Sequence, residues 1–586
     1  MRIYNRKLRN IAGILLITAF TVFMLERESV ANFVKSINFI EAYENDGEAF
    51  TISLWNGVTD ESVGNYKICI NWWCRKKDSS YVLFVPEGMR GRRLYWLLGS
   101  QSKMLLDDVE IKSGDVFACE GGQHELVYCE DGEEKHCTLD IYYTSPITAL
   151  FLETDSGSLS YIHESKDNFE GGSYLFLDEK GRPCYAGRID DIHCRGNSSY
   201  DETDKKSYLI SLADDCDLFG MGEAEDWILT ANAFDDTLLR NVLAFDIARS
   251  LKLSYTPEVQ YTDVYVNGDY VGNYLLSEKV EIGKSRVNIT DLEKSVREMN
   301  APAQLADYAF FMEQQGRLFS TKGYMIENEP EDISGGYLLE LETSDRYGLE
   351  ESGFLTSRMQ PVVFASPKYA SYDQVSYVAA LYQDFEDAVF SEDGYSPYTG
   401  EYYGSYIDMQ SFARKYLLEE LVKNLDASYT SQYIYKPADA VSTKLFAGPA
   451  WDYDKSIAAS GVTDTGINLH DAEGFYANVQ KKDSDIWYAL YSHEDFRELA
   501  AQIFLDELAP FIRQSFDGMV DKYSSHIEAS NTCDMVRWNT FSGYSALDDK
   551  LECYAQKLDD LKDFMQRRVD FLEREFEKEL GKEKVD

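Results

Sequence analysis

Residues 261–276, Tyr-Thr-Asp-Val-Tyr-Val-Asn-Gly-Asp-Tyr-Val-Gly-Asn-Tyr-Leu-Leu, constrain the fold more than any other stretch of this chain. Two β-rich runs flank Asn267-Gly268, a dipeptide that tolerates positive φ and so favours a tight hairpin. Strands are expected around it, at 147–152 and between 174 and 212. A helix is expected over 236–251, with Leu239, Val242, Leu243 and Ile247 on one face and Asp235 or Asp236 as its N-cap. Residues 290–333 are weakly patterned and charged and read as an insertion, after which 335–342 (Gly-Gly-Tyr-Leu-Leu-Glu-Leu-Glu) resumes as a strand. The second half turns helical. Phe412, Tyr416, Leu417 and Leu421 share a face of a helix over 407–425, and further helices follow residue 483. The last, 547–580, carries a wide, aromatic-rich stripe (Leu547, Leu551, Tyr554, Leu558, Leu561, Met565, Val569, Leu572, Phe576) that fits packing on its own domain better than a coiled-coil seam.

Upstream, residues 34–143 alternate in short runs broken by turn residues, the pattern of an all-β sandwich of about 110 residues. The first ten residues carry Arg2, Arg6, Lys7 and Arg9 with no acid, and 11–25 is uncharged and mostly apolar. Fifteen residues at 1.5 Å each give about 22 Å of helix, short of a hydrocarbon core of roughly 30 Å. A signal peptide fits the length. Without a small-residue cleavage site, an uncleaved signal anchor is the preferred reading, with the rest of the chain outside the cell membrane or on a spore surface. The expected organisation is a signal segment over 1–30, a β-sandwich over 31–145 and a second domain over 146–586. Ten cysteines in an exported chain suggest disulfides, with Cys184 and Cys194, and Cys533 and Cys553, as plausible local pairs.

The charge balance narrows the partners. With 57 Lys and Arg against 102 Asp and Glu, a net charge of −45, the chain would repel phosphate backbones, so nucleic acid is not an expected partner. Hydrophobic residues make up 44%, enough apolar surface for several cores, which argues against disorder. The seven histidines fall in no metal-ligand spacing, and 283–285 (Gly-Lys-Ser) lacks the earlier glycine of a phosphate-binding loop. Carboxylates and lysines remain. Asp426 follows a helix, and Asp452-Tyr-Asp454 ends an apolar run. If the segment between is a hairpin, they converge, as carboxylates holding Mg²⁺ in phosphoryl-transfer sites do, although acids at strand ends are also common solvated residues. Lys205-Lys206 precedes an apolar strand and follows the turn-rich loop 195–199 (Arg-Gly-Asn-Ser-Ser). Alternation lets only one of the two lysines face a cleft.

Six blocks in order, Arg195 to Ser199, Lys205 to Tyr208, Trp227 to Asn232 with Leu239-Arg240-Asn241, Val266 to Tyr270 with Gly272 to Lys279, Gly335 to Glu340, and Gly448 to Asp454, together resemble the spore coat protein H (CotH) kinase family over about three quarters of the chain. The resemblance implies an α+β fold: after the sandwich, a two-lobed, atypical protein-kinase-like domain with a β-rich N-lobe and a helical C-lobe. It implies ATP and Mg²⁺ as cofactors and transfer of phosphate to protein serines. Lys206, or else Lys205, would hold the nucleotide phosphates, joined by Arg195, Asn197 and Ser198 of the loop, and Glu278 would lie near the adenine. Asp426 would be the catalytic carboxylate. Asp452 would be the main Mg²⁺ ligand, with Asp454 and Gln432 as further candidates.

The expected function is therefore an ATP-dependent kinase acting on exported, spore-coat or surface proteins. The rivals are a non-catalytic surface or adhesion protein that keeps the fold, and a metal-dependent glycosyltransferase using Asp452-Tyr-Asp454 as a DxD pattern. The acidic chain would steer a basic, Ser-rich acceptor.

Overall fold

The computed structural model describes residues 52–60, 64–75, 80–92, 94–98, 104–130, 133–459, 466–479 and 484–581. The signal segment expected over 1–30 lies outside them. Among the described residues no helix is long and apolar enough to cross a membrane.

The chain is a mixed α+β protein with two compact units, the first drawn from most of the chain up to Ile141, the second from Tyr142 onward together with 58–66 and 84–90. The described elements before residue 144 are strands and one short 3-10 turn, arranged as a four-stranded and a six-stranded sheet.

In the second unit seven strands close a barrel: β1 Thr148–Thr154, β2 Glu170–Leu177, β3 Pro183–Arg195, β4 Ser207–Asp217, β5 Glu223–Thr230, β6 Val259–Val266 and β7 Asp269–Glu278, in the order β1-β2-β3-β4-β5-β7-β6. The expected hairpin is β6–β7. Asn267 and Gly268 sit at φ 52° and 88°, the paired left-handed conformations that a two-residue turn requires. The Asn267 side chain also accepts from the Thr154 amide at 2.9 Å, tying the turn to the end of β1, which pairs with β6 in parallel and closes the barrel. Closure leaves no free edge, and inward residues such as Leu150, Phe176, Ile210, Trp227, Val264 and Tyr274 fill the interior.

Helix α1, Arg240–Ser250, begins later than its apolar periodicity suggests. Residues 235–238 form a tight turn instead, and from it Asp235 caps the helix at a distance: its carboxylate accepts from the Arg240 amide at 2.7 Å.

The second half is not simply helical. A seven-stranded sheet runs through it, in the order β8-β9-β11-β12-β10-β13-β14: β8 Phe310–Glu313, β9 Ser320–Tyr324, β10 Tyr337–Leu341, β11 Gly353–Leu355, β12 Pro361–Ser366, β13 Gln432–Lys436 and β14 Phe446–Ala447. The supposed insertion supplies β8 and β9, which escape detection because they are short and β9 contains Lys322 and Gly323. Gly335-Gly336 leads into β10 for steric reasons. A Cβ on Gly335 would lie 2.1 Å from the Ala438 amide nitrogen, and one on Gly336, at φ 94°, 2.5 Å from the Thr290 carbonyl oxygen.

The helices that follow are α2 Tyr372–Val389, α3 Met409–Val422, α4 Glu494–Ile503, α5 Ala509–His526, α6 Glu528–Trp538, which packs on β7 of the barrel, and α7 Leu547–Glu579. The α7 stripe is spent internally, with Leu561, Phe564, Met565, Val569, Leu572 and Phe576 in the common core. Arg568 of α7, fully buried, donates to the carbonyl oxygens of Ala472 (2.9 Å), Gly474 (2.6 Å) and Glu420 (2.8 Å) and to the Glu420 carboxylate, locking α7 to the end of α3.

The expected local disulfides are corrected. Cys184 and Cys194 lie on one strand, β3, ten residues apart and so separated by roughly 33 Å, far beyond bonding reach. Cys533, buried on α6, and Cys553, on α7, are likewise thiols.

Candidate functional site

The sheet and α3 set up the site through the backbone. Helix α3 stops at Lys423, whose left-handed conformation (φ 46°) turns the chain so that Asn424, Leu425 and Asp426 leave along the sheet. The strands β13 and β14 then pair antiparallel, and the chain after β14 returns Trp451 to Lys455 beside Asp426. Two backbone bonds fasten these loops: Leu425 N–H to Lys455 O at 3.1 Å and Ile457 N–H to Val422 O at 2.7 Å.

A buried side-chain network fixes the loops that carry the three acids. Tyr453 donates from its hydroxyl to Glu419 at 2.7 Å, Lys415 donates to the same Glu419 oxygen at 2.6 Å, and Asn424 donates to the other at 3.0 Å. The Asn424 side-chain Oδ1 accepts from the Asp426 amide at 3.3 Å. On the other side Asn241 of α1 accepts from the Tyr453 amide at 2.7 Å and donates to Asn232 at 2.8 Å. Glu419 is thus one hub for the loops that carry Asp426, Asp452 and Asp454.

These three acids line one cleft of about 840 Å³, whose walls come from the barrel, α1 and the seven-stranded sheet. Burial, reinforced by the like charge of Asp452, pushes the Asp426 carboxyl up to about 6. Burial also raises Asp452, against the pull of Arg195 and a Ser431 hydroxyl 3.3 Å away, and raises Asp454 well above the usual carboxylate range, with Asp452 as the next cause. Asp452 itself sits at φ 66°, a backbone state that non-glycine residues seldom adopt and that the surrounding bonds impose.

Cations face them. Arg195 reaches the cleft from the end of β3 with its guanidinium over the Trp451 ring at 5.2 Å, and burial lowers its proton affinity while Tyr433, Asp452 and Glu340 support the charge. Lys455 donates to Ser198 Oγ at 3.0 Å and lies 4.0 Å from the Phe234 ring centroid. Lys166 donates to Gly196 O at 2.9 Å and Asn197 Oδ1 at 3.0 Å. The loop 195–199 is therefore a rim pinned by two lysines, with Arg195, Asn197 and Ser198 all on the cleft.

The expectation for the paired lysines is corrected. Both stand in the turn before β4, so strand alternation does not apply to them. Lys206 is turned onto its own loop, donating to the carbonyl oxygens of Tyr200 and Thr203, the latter at 2.5 Å. Lys205 is buried against Asp534 of α6 at 2.6 Å and Asn273 O at 2.6 Å, and it lines a neighbouring cavity of about 540 Å³. Glu278 is paired with Arg286 at 2.5 Å in a third cavity. Gln432 is buried beneath the cleft with no partner for its side-chain amide and does not line it.

Sequence reasoning passed over Lys455, Lys166, Arg346, Glu340 and Glu342, all lining the same cleft. A signal existed for two of them. Lys455 directly follows Asp452-Tyr-Asp454, and Glu340 ends the Gly335 block. Lys166 and Arg346 come from segments with no pattern of their own.

Among the described residues no three His, Cys, Asp or Glu side chains form a ready metal cage. The donors still suit a hard cation: two crowded carboxylates whose mutual repulsion and burial a divalent ion would relieve, with open cleft beside them for phosphate oxygens.

No curated protein matches the chain. A model of the CotH kinase protein family matches residues 192–572, from near the end of β3 into the last third of α7, and includes every cleft residue from His193 onward. The match covers well over half of the sequence, and the chain belongs to the CotH kinase protein family.

Proposed function

We propose that the cleft is a nucleotide-dependent phosphotransferase site that uses ATP with Mg²⁺ and delivers phosphate to protein hydroxyls. The barrel and the sheet-and-helix region serve as the two lobes of a kinase-like domain. One observation carries the reading: Asp426 and the Asp452–Asp454 pair, on loops bonded to each other, face Arg195 and Lys455 in one cleft. Phosphoryl transfer is catalysed largely by positioning and charge neutralisation, and this set supplies both.

Asp452 and Asp454 would hold Mg²⁺, which neutralises phosphate charge when bound. Asp426 orients the acceptor hydroxyl and takes up its proton, a task suited to a carboxylate held near 6. Arg195, Lys455 and Lys166 draw the phosphates in, replacing Lys205 and Lys206 in that role. On this reading the chain acts on exported or surface proteins, and its acidic character favours a basic, Ser-rich acceptor.

The test is label transfer from γ-labelled ATP to a Lys- and Ser-rich acceptor by the full chain, with and without Mg²⁺. Wild type is expected to transfer label only with Mg²⁺, and Asp452→Ala to lose at least a hundredfold. Absence of nucleotide binding by wild type would sink the reading, and transfer from a sugar nucleotide instead would replace it. Tyr453→Phe probes the hub. It is expected to lower kcat about tenfold with KM for ATP unchanged, because the missing hydroxyl loosens the acid-bearing loop, a cost of about 1–2 kcal/mol. An unchanged kcat would show that Glu419 does not transmit through Tyr453.

A further inference from the structure

The seven-stranded sheet ends on β8, Phe310 to Glu313, and only one side of that strand is paired. Its register with β9 sets Phe310 opposite Tyr324 and Met312 opposite Lys322. The Met325 amide donates to the Ala309 carbonyl oxygen at 2.8 Å, so by antiparallel alternation Phe311 and Glu313 bond to β9 while Phe310 and Met312 turn their N–H and C=O groups outward. The same two residues expose their side chains, by 51% and 56%. Phe311, between them, points to the other face and meets the Tyr372 ring of α2 at 5.1 Å. Folded chains blunt a free edge with a lysine, a proline, a bulge or a covering segment. On β8 the ladder is regular and the residues are Phe-Phe-Met-Glu, with Glu313 held by the Tyr372 hydroxyl at 3.0 Å. An apolar edge left open in a chain of net charge −45 marks a place for another strand.

We propose that this edge is a self-association surface: β8 of a second copy pairs with it antiparallel about a two-fold axis at Phe311, joining two seven-stranded sheets into one. The register follows from the outward groups, because only Phe310 and Met312 can exchange backbone bonds across the axis. Phe310 against Phe310 of the second copy would bring Asp307 opposite Glu313, acid on acid, at both ends. Met312 against Met312 would set Phe310 opposite Gln314, an apolar ring on an amide. Phe310 against Met312 places the exposed apolar side chains on each other, with Glu313 opposite Ala309 and Asp307 opposite Gln315, so no acid meets an acid. A copy of the chain thus matches the edge in both pattern and charge, whereas a basic acceptor gains little from apolar side chains. The pairing is isologous, which closes the assembly at a dimer, and the short strand makes the contact small and reversible.

The test is sedimentation velocity of the full chain across concentration. Wild type is expected to pass from monomer to dimer over roughly 1–100 μM, and to do so more readily at about 0.5 M salt than at about 0.05 M, because screening relieves the repulsion between two acidic chains. Met312→Lys and Met312→Pro should each raise the midpoint at least about tenfold. The proline lacks an N–H that faces outward, so β8 keeps its bonds to β9 and the variant should unfold in urea as wild type does. Single cysteines read the register: under oxidation Phe311→Cys should form a crosslinked dimer beyond the wild-type background, since self-opposed residues come within disulfide reach, and Phe310→Cys and Met312→Cys should not. A wild type that stays monomeric at every concentration and salt overturns the proposal, and so does a dimer that both Met312 variants leave intact. Crosslinking through position 310 or 312 in place of 311 overturns the pairing about Phe311.

Discussion

Asp426→Asn is expected to slow phosphoryl transfer about a thousandfold, leave the affinity for Mg²⁺-ATP within about twofold, and make the folded protein more stable. The three readouts follow from one geometry. The side chain is nearly isosteric, and Asp426 is held through its amide by Asn424, so the loop should keep its course. What the variant loses is a carboxylate able to take a proton from the acceptor. The gain in stability comes from linkage. Burial first, then the charge of Asp452, raise the folded carboxyl from 3.8 to about 6, so above pH 6 the native state carries an ionised group that the unfolded chain holds more easily. For a raised carboxyl the cost is absent below about pH 4, grows between pH 4 and 6, and is complete above that. An amide removes it, worth about 1–2 kcal/mol at pH 7 once the solvent reaching the cleft is discounted. Denaturant unfolding at pH 7 and at pH 4 measures it: the variant should be the more stable at pH 7, with the difference shrinking at pH 4. A variant less stable than wild type at pH 7 would make Asp426 a structural anchor. The same ionisation predicts an acid limb for wild-type transfer, with the rate rising with pH to a plateau at or above pH 6, or lower where bound Mg²⁺ offsets the Asp452 charge.

Much of the frame was legible because it rests on local rules. Asn267-Gly268 closes its hairpin through φ values that few other pairs accept, and the α7 stripe marks a buried face wherever it packs. The convergence of Asp426 with Asp452 followed from a helix, a short strand pair and a return, all visible as pattern. The fates of individual side chains were not legible. Lys205 and Lys206 are neighbours with the same chemistry, yet one pairs with an acid 329 residues away and the other folds back on its own turn. Nothing near residue 205 announces Asp534. The cations that do enter the cleft, Lys166, Arg195, Arg346 and Lys455, come from separate segments and are gathered only by tertiary structure. The sheet hidden in the second half has the same origin: β8 and β9 are too short or too polar to outweigh their neighbours, and only pairing makes them strands.

The Lys205–Asp534 pair carries the largest stability effect expected in the barrel. Asp534 Oδ1 accepts from Lys205 Nζ at 2.6 Å and from the Asn273 amide at 2.9 Å, and both charged side chains are 6% exposed. Burial lowers the proton affinity of Lys205, and Asp534 is the first of the groups that restore it. The pair pins α6 against β7 and β4, the strand that follows the cleft's rim loop. Asp534→Ala strands an ammonium in the interior and removes a backbone acceptor, so it should cost about 3–5 kcal/mol, and Lys205→Ala, which strands the carboxylate, a similar amount. The double variant removes both charges and should cost clearly less than the sum, by about 2 kcal/mol or more. A double-mutant cycle by urea unfolding reads the coupling directly, and strict additivity would show that the two charges do not sustain each other. Activity separates this from a phosphate-binding role. If Lys205 only braces the barrel, Lys205→Met should retain a near-normal KM for ATP at temperatures where it remains folded, whereas a lysine that met the nucleotide would raise KM at every temperature.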